Sequence, residues 1–142
     1  MKKVRVTYGL LSFLFLVMGI CVYLLFRDVS GLLFFEWVPK PEFVNVYIQL
    51  PPSVFSYVLR HNTAAMLWIV SGALFFRFIW FYRVAAQKIY IGCFYGMAAI
   101  LEISQLSSRI PGTFDVLDLL FMGIGAFVEG LLYNIFVKRR IA

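Results

Sequence analysis

The sequence predicts an all-α integral membrane protein, a four-helix transmembrane bundle with an aromatic interfacial segment between the first and second helices. Of its 142 residues, 63% are hydrophobic and only 14% are charged, which is too apolar for a soluble domain of this length. Apolar runs of about twenty residues match a hydrocarbon core about 30 Å thick. We therefore expect a single domain over 1–142, with spans over about 7–26, 63–80, 87–106 and 114–137.

The basic residues predict the orientation of these spans. Nine of the thirteen lysines and arginines fall on one predicted side, namely Lys2, Lys3, Arg5, Arg77, Arg83, Lys88, Lys138, Arg139 and Arg140. The positive-inside rule then places both termini in the cytoplasm, and we expect a bacterial cytoplasmic membrane. Because the net charge of +6 is scattered over segment ends and not clustered on a solvated face, we expect no nucleic-acid partner.

The stretch between the first and second spans is long and rich in aromatic residues. It covers residues 27–62 and contains four of the five prolines. Aromatic rings with a polar tip prefer the headgroup zone of a bilayer. We therefore expect short amphipathic pieces around 31–37, 42–50 and 53–60 on the outer interface, either as a membrane-seated lid or as a lipid-contacting surface.

One short window, residues 102–118, concentrates polarity between the third and fourth spans. It holds three of the seven acidic residues, although a carboxylate at the centre of a membrane helix costs about 2.5–3.5 kcal/mol on insertion scales. Such residues require either a partner or a function. The candidate site residues are Glu102, Gln105, Arg109, Asp115 and Asp118.

The connection between these two spans is short, so they should run antiparallel and adjacent. Glu102 and Gln105 are three residues apart and share one helix face. Counting about 1.5 Å per residue from the turn places Gln105 near Asp115, and Glu102 near Asp118 about one turn deeper. Arg109 would lie above both pairs.

The turn itself contains Gly112, Thr113 and Phe114 before the fourth span begins. Either Thr113 or Asp115 can accept the unpaired backbone N–H groups at that helix start, where the helix dipole also favours a carboxylate. Helix capping therefore gives Asp115 a sufficient structural role. Glu102 and Asp118 remain the residues on which a functional interpretation depends.

Glu129 is a secondary candidate on the same helix face as Asp118. The two residues are eleven positions apart, a spacing that returns close to the same face. Our main interpretation is a structural ion pair with Arg77 or Arg83. The alternative is a second polar station on a path through the bundle, for protons or for a lipid headgroup.

Small residues predict close helix packing. Gly92 and Gly96 form a G-x-x-x-G pattern in the third span, and Gly123 and Gly125 lie in the fourth. Because the two spans are joined by a short turn, we expect these glycines to face each other. The sequence offers no cluster with metal-ligand spacing, and we expect neither a metal nor a cofactor.

The polar window also resembles a known family. The pattern E-x-x-Q, then an arginine, then G-T-F-D-x-x-D is similar to the C-terminal hairpin of the VanZ-like family, named for a membrane protein associated with teicoplanin resistance. The residues that carry the resemblance are Glu102, Gln105, Arg109, Gly112, Thr113, Phe114, Asp115 and Asp118. The segment before span two departs from the family, reading Leu59 to Thr63 where relatives often have Pro-Asp followed by Trp. The resemblance therefore does not extend to a polar partner from span two.

Three functions remain open at this stage. The resemblance implies a protein that acts at the outer leaflet, binding an amphiphile or lipid headgroup or limiting its access, with an effect on lipoglycopeptide susceptibility. A second hypothesis is a structural or assembly protein, in which carboxylates pin the hairpin and small residues hold a membrane-protein partner or a second copy. A third is a membrane enzyme that uses Glu102 and Asp118 as an acid and base on a lipid-linked substrate.

Overall fold

The computed structural model describes residues 2–26, 48–107 and 114–141, and these residues are helical apart from short connections. Within these ranges the structure has five helices: α1 (Lys2–Phe26), α2 (Val54–His61), α3 (Thr63–Ile79), α4 (Val84–Ser104) and α5 (Val116–Ile141). Four helical stretches are long and apolar enough to cross a membrane: Lys2–Phe26, Val54–Ile79, Val84–Ser104 and Val116–Phe136. The prediction of an all-helical chain with four such stretches is confirmed, and it indicates a multi-pass membrane protein.

The second of these stretches begins earlier than the sequence predicts, because α2 precedes α3 with only Asn62 between them. Asn62 keeps a right-handed helical conformation, and its N–H donates to the Val58 carbonyl. The side chain of Ser53 caps α2 by accepting from the Ser56 N–H at 3.1 Å. Of the predicted amphipathic pieces, 53–60 is this helix, whereas 31–37 and most of 42–50 lie outside the described residues.

Helix α3 lies at the centre, with α1 and α5 packed most extensively against it. Ser12 of α1 and Ser71 of α3 form a reciprocal buried pair, in which each hydroxyl donates to the other residue's carbonyl at 2.9 and 2.8 Å. This arrangement satisfies both hydroxyls without water, as a helix contact in an apolar environment requires. The core cluster next to it consists of Tyr8, Val70, Leu74 and Phe81.

Glycines allow the close helix contacts. Of the four glycines that the sequence suggested for packing, only Gly125 lies at such a contact. A Cβ built on Gly19 would lie 2.5 Å from the Trp68 ring, and one on Gly72 would lie 2.4 Å from the Phe94 ring. A Cβ on Gly125 would lie 2.8 Å from the Met66 carbonyl oxygen. Helix α5 therefore approaches α3, and not α4, at this glycine.

The expected packing of Gly92, Gly96 and Gly123 against each other is not found, and this is a correction. A Cβ at each of these positions would have no described neighbour within 4 Å outside its own helix backbone. The physical reason is that α5 packs mainly on the central helix α3, so α4 and α5 meet at few places, one of which is the Tyr95–Glu129 hydrogen bond. A short turn makes two helices neighbours in the chain but does not fix which helix packs most closely.

Large apolar side chains cover the outside of the bundle. Phe13 is 66% exposed, Ile100 is 68% exposed and Phe127 is 66% exposed, and each lies on a different long helix. An apolar surface of this extent is costly in water but matches the hydrocarbon of a bilayer.

Candidate functional site

Polar side chains from four parts of the chain meet at the junction of α2 and α3. We call this group the junction cluster, and its members are Tyr57, Asn62, Glu102, Gln105, Asp115 and Asp118. The cluster includes four of the five residues proposed from the sequence window. The fifth, Arg109, lies outside the described residues, as do Gly112 and Thr113 of the turn, whereas the described Phe114 is partly exposed.

Glu102 is the buried carboxylate of the junction cluster, with 6% of its surface exposed. One oxygen accepts from the backbone N–H of Asp115 at 3.2 Å, and the other accepts from the Gln105 amide at 3.3 Å. Glu102 therefore contacts the residue before α5. Counting residues from the turn had placed Gln105 at that level and Glu102 about one turn deeper, near Asp118. The long Glu102 side chain spans this turn and links α4 to the start of α5.

Asp115 caps α5, as the sequence predicts. Its Oδ1 accepts from the Leu117 N–H at 2.9 Å, and its Oδ2 accepts from the Tyr57 hydroxyl at 2.7 Å. The Tyr57 hydrogen bond, followed by that of Leu117, lowers the pKa of Asp115 below its ordinary value. Asp115 is thus held as a carboxylate, and it links α2 to α5.

Asn62 is the polar partner from the second span that the resemblance did not supply. It is completely buried, and its amide donates to Oδ1 of Asp118 at 2.8 Å. Its own Oδ1 is shielded from solvent and has no hydrogen-bond partner among the described residues. An asparagine within a long apolar helical stretch is the signal that could have identified it, because buried amides in membrane helices need partners.

An open pocket of about 290 Å³ lies beside the junction cluster. Its polar wall follows one face of α2 and its apolar wall is the segment before that helix, and the lining residues are Leu50, Pro51, Pro52, Ser53, Ser56, Tyr57, Arg60 and His61. Tyr57 belongs to both the pocket and the junction cluster, because it lines the pocket and its hydroxyl donates to Asp115. The Tyr57 and His61 rings lie against each other with centroids 4.7 Å apart.

A second polar group lies near the other end of α3, and we call it the ion-pair network: Arg77, Gln87, Tyr95, Glu129 and Tyr133. Arg77 binds both carboxylate oxygens of Glu129, through Nε and through Nη2, the latter at 3.2 Å. The expected ion pair between Glu129 and Arg77 is therefore present, and Glu129 is 2% exposed. A fork-to-carboxylate pair of this kind fixes geometry as well as charge.

The remaining members complete the coordination of this pair. Arg77 Nη1 donates to the Gln87 side chain at 3.2 Å, the Tyr95 hydroxyl donates to Glu129 at 3.4 Å, and the Arg77 guanidinium lies 3.7 Å from the Tyr133 ring centre. The network thereby ties α3, α4 and α5 together. Because the Arg77 and Glu129 side chains already have partners for their charged atoms, the network fits a structural ion pair better than a binding station for protons or headgroups.

The chemistry open to the junction cluster is hydrogen bonding and charge. Within the described ranges, no three histidine, cysteine, aspartate or glutamate residues are grouped so that they could hold a metal ion. No protein-family model matches the sequence, no curated protein matches it, and no solved structure matches the fold.

Proposed function

We propose that this is a small multi-pass membrane protein that binds an amphiphile headgroup at the outer face of a bacterial cytoplasmic membrane, or limits its access there. The observation that carries the proposal is the Tyr57–Asp115 hydrogen bond of 2.7 Å. It connects an open pocket on α2 to carboxylates on α4 and α5. A polar site that opens at one end of an apolar bundle suits a ligand with one polar and one apolar part.

The orientation belongs to this proposal. The basic residues at the termini and around Arg83 support a cytoplasmic position for that end of the bundle, which leaves the junction cluster outside. Val54 and Phe55 of α2 are 83% and 73% exposed, while Ser56 is buried. This distribution fits a helix whose outward face contacts lipid near the headgroups.

The resemblance to the VanZ-like family supports a more specific form of the proposal. An acylated glycopeptide such as teicoplanin inserts its acyl chain at the outer leaflet, and a headgroup-binding protein there could change the access of the drug. The test is the lipoglycopeptide susceptibility of a bacterial host that expresses the protein. We expect Asp118→Asn to reduce any protection, while Gly123→Ala retains it at equal protein levels.

Asp118→Asn keeps the shape of the side chain and removes its charge, so folding can be checked by membrane protein level and thermal unfolding. If a folded Asp118→Asn variant protects as well as the unmodified protein, the junction cluster is not the functional site. If expression of the unmodified protein leaves the lipoglycopeptide susceptibility of the host unchanged, the proposed effect on drug access is wrong.

A structural role is the second candidate, and a specific observation favours it. Glu102 is buried and both of its oxygens accept hydrogen bonds, one of them from the backbone of Asp115, the residue before α5. A carboxylate used in this way pins the hairpin. If that is its only role, Glu102→Gln should lower the folded fraction in the membrane before it alters any phenotype. Normal protein levels with a lost phenotype would contradict the structural account.

A further inference from the structure

The pocket on α2 contains an arginine that forms no salt bridge with any residue that the structure describes. Arg60 lines the pocket, and its Nε is shielded from solvent and has no hydrogen-bond partner among the described residues. Arginine stays charged at any physiological pH, so this shielded donor costs free energy unless an acceptor binds it. Arg77 differs from Arg60 in this respect, because all three of its side-chain nitrogens have hydrogen-bond partners.

Two serines of the pocket, Ser53 and Ser56, lie on the same face of α2 as Arg60. Ser53 and Ser56 hydrogen-bond to each other through their hydroxyls at 2.8 Å, and the Ser53 oxygen also accepts the Ser56 N–H. One hydroxyl hydrogen of this pair therefore remains for a ligand. The described lining residues include no acidic side chain. An arginine and one available hydroxyl, in a lining where the nearby Asp115 carboxylate is already bound by Tyr57, favour an anion with several oxygen acceptors.

We propose that this pocket binds the phosphate group of an amphiphile headgroup, with Arg60 as its main charged contact. The proposal rests on the proposed function and gives its ligand a chemical class. A pocket of about 290 Å³ can hold a phosphate and the carbon atoms attached to it, and Leu50, Pro51 and Pro52 offer the apolar wall for those carbons. Free phosphate has the same recognition chemistry and is the alternative source.

The location of the pocket agrees with a lipid source. The exposed apolar residues Val54 and Phe55 lie on α2 itself, so a bilayer that covers them brings its headgroups to the level of the pocket. Arg60 lies at the C-terminal end of α2, about two turns from Ser53. The polar lining therefore extends along one face of α2 from Ser53 to Arg60.

The test uses the purified full-length protein in maltoside micelles, with bound lipid counted by native mass spectrometry. The probes are phosphatidylglycerol, diacylglycerol with the same chains, and inorganic phosphate. The variants are Arg60→Gln, Arg60→Lys and the control Arg83→Gln, which removes an exposed cation at the other end of the bundle. We expect phosphatidylglycerol to bind better than diacylglycerol, and Arg60→Gln to reduce its occupancy about tenfold, the loss of one charge-assisted hydrogen bond.

Arg60→Lys should retain part of the binding because the charge remains, and Arg83→Gln should retain all of it. Equal phosphatidylglycerol occupancy in the parent protein and a folded Arg60→Gln variant would overturn the proposal. If phosphatidylglycerol and diacylglycerol bind equally well, the phosphate is not recognised, although amphiphile binding itself stands. If neither lipid binds and inorganic phosphate binds through Arg60, the anion site is supported with free phosphate as its ligand, and amphiphile binding fails.

Discussion

Arg77 of α3 binds Glu129 of α5 through two nitrogens, although both residues lie within helical stretches that are apolar enough to cross a membrane. The Glu129 carboxylate also accepts from Tyr95 of α4, so one buried charge pair joins three helices. Removing one member of a buried pair leaves the other charged and unpaired, which is the costly outcome. Loss of either Arg77 or Glu129 should therefore destabilise the bundle strongly.

The first prediction concerns this pair. Glu129→Ala should reduce the free energy of unfolding by about 3–5 kcal/mol, because Arg77 stays charged in an apolar environment. Glu129→Gln keeps an acceptor for the guanidinium and should cost less. Thermal unfolding in detergent micelles measures both. If Arg77→Met combined with Glu129→Leu is no more stable than Glu129→Ala alone, the unpaired charge is not the cause of the loss.

The second prediction compares two glycines of α5. Gly125→Ala should destabilise the protein by about 1–3 kcal/mol, because the new Cβ would lie 2.8 Å from the Met66 backbone oxygen, which cannot move easily. Gly123→Ala should be neutral or stabilising by up to about 1 kcal/mol, since open space surrounds that position and alanine favours helix. The same unfolding assay reads both variants. Equal effects at the two positions would contradict the packing of α5 on α3.

The third prediction concerns the serine pair between α1 and α3. Ser12→Ala and Ser71→Ala should each destabilise the protein by about 0.6 kcal/mol, the usual size for such hydrogen bonds in membranes. Because each hydroxyl donates to a backbone carbonyl that the other substitution leaves in place, the two losses should be nearly additive in the double variant. Thermal unfolding of the single and double variants measures this, and a coupling above about 0.5 kcal/mol would contradict two separate hydrogen bonds.

The fourth prediction is a pH dependence at Asp115. Its pKa is lowered in the folded protein, chiefly by the Tyr57 hydroxyl, so its contribution to stability is present above the unfolded value of about 3.9. That contribution is lost as the pH falls through the lowered folded pKa. Tyr57→Phe should raise the pKa of Asp115 toward its ordinary value. Carboxyl ¹³C chemical shifts of Asp115 measure this directly, and an unchanged titration in Tyr57→Phe would exclude the hydroxyl as the cause.

The fifth prediction concerns Asn62 and Asp118. Asn62→Leu should be destabilising, because Oδ1 of the partly buried Asp118 loses the Asn62 amide as a donor at 2.8 Å. Adding Asp118→Leu should restore part of the loss, because the carboxylate that has lost the Asn62 donor is then replaced by an apolar side chain. Thermal unfolding of the single and double variants checks this. If the loss of stability in the double variant equals the sum of the losses in the two single variants, the two side chains are not coupled.

The sequence by itself determined the number of long apolar helices, because a run of about twenty apolar residues is a local property that length and composition reveal. It also predicted a cap by Thr113 or Asp115 and an ion pair of Glu129 with Arg77 or Arg83, and the structure shows the Asp115 cap and the Arg77 pair. Capping depends on neighbouring residues, and a deeply placed glutamate needs a cation within reach. Both conditions can be recognised along the chain without knowing the arrangement of the helices.

Only the tertiary structure decided which helix is central and which polar groups meet. All four long stretches are apolar on most sides, so hydrophobic periodicity gives no preferred neighbour for Gly125 or Glu102. Close approach depends on side-chain shapes across a contact, such as Trp68 against Gly19. The same reason explains why Asn62, from a segment that the polar window does not include, completes the partner set of Asp118.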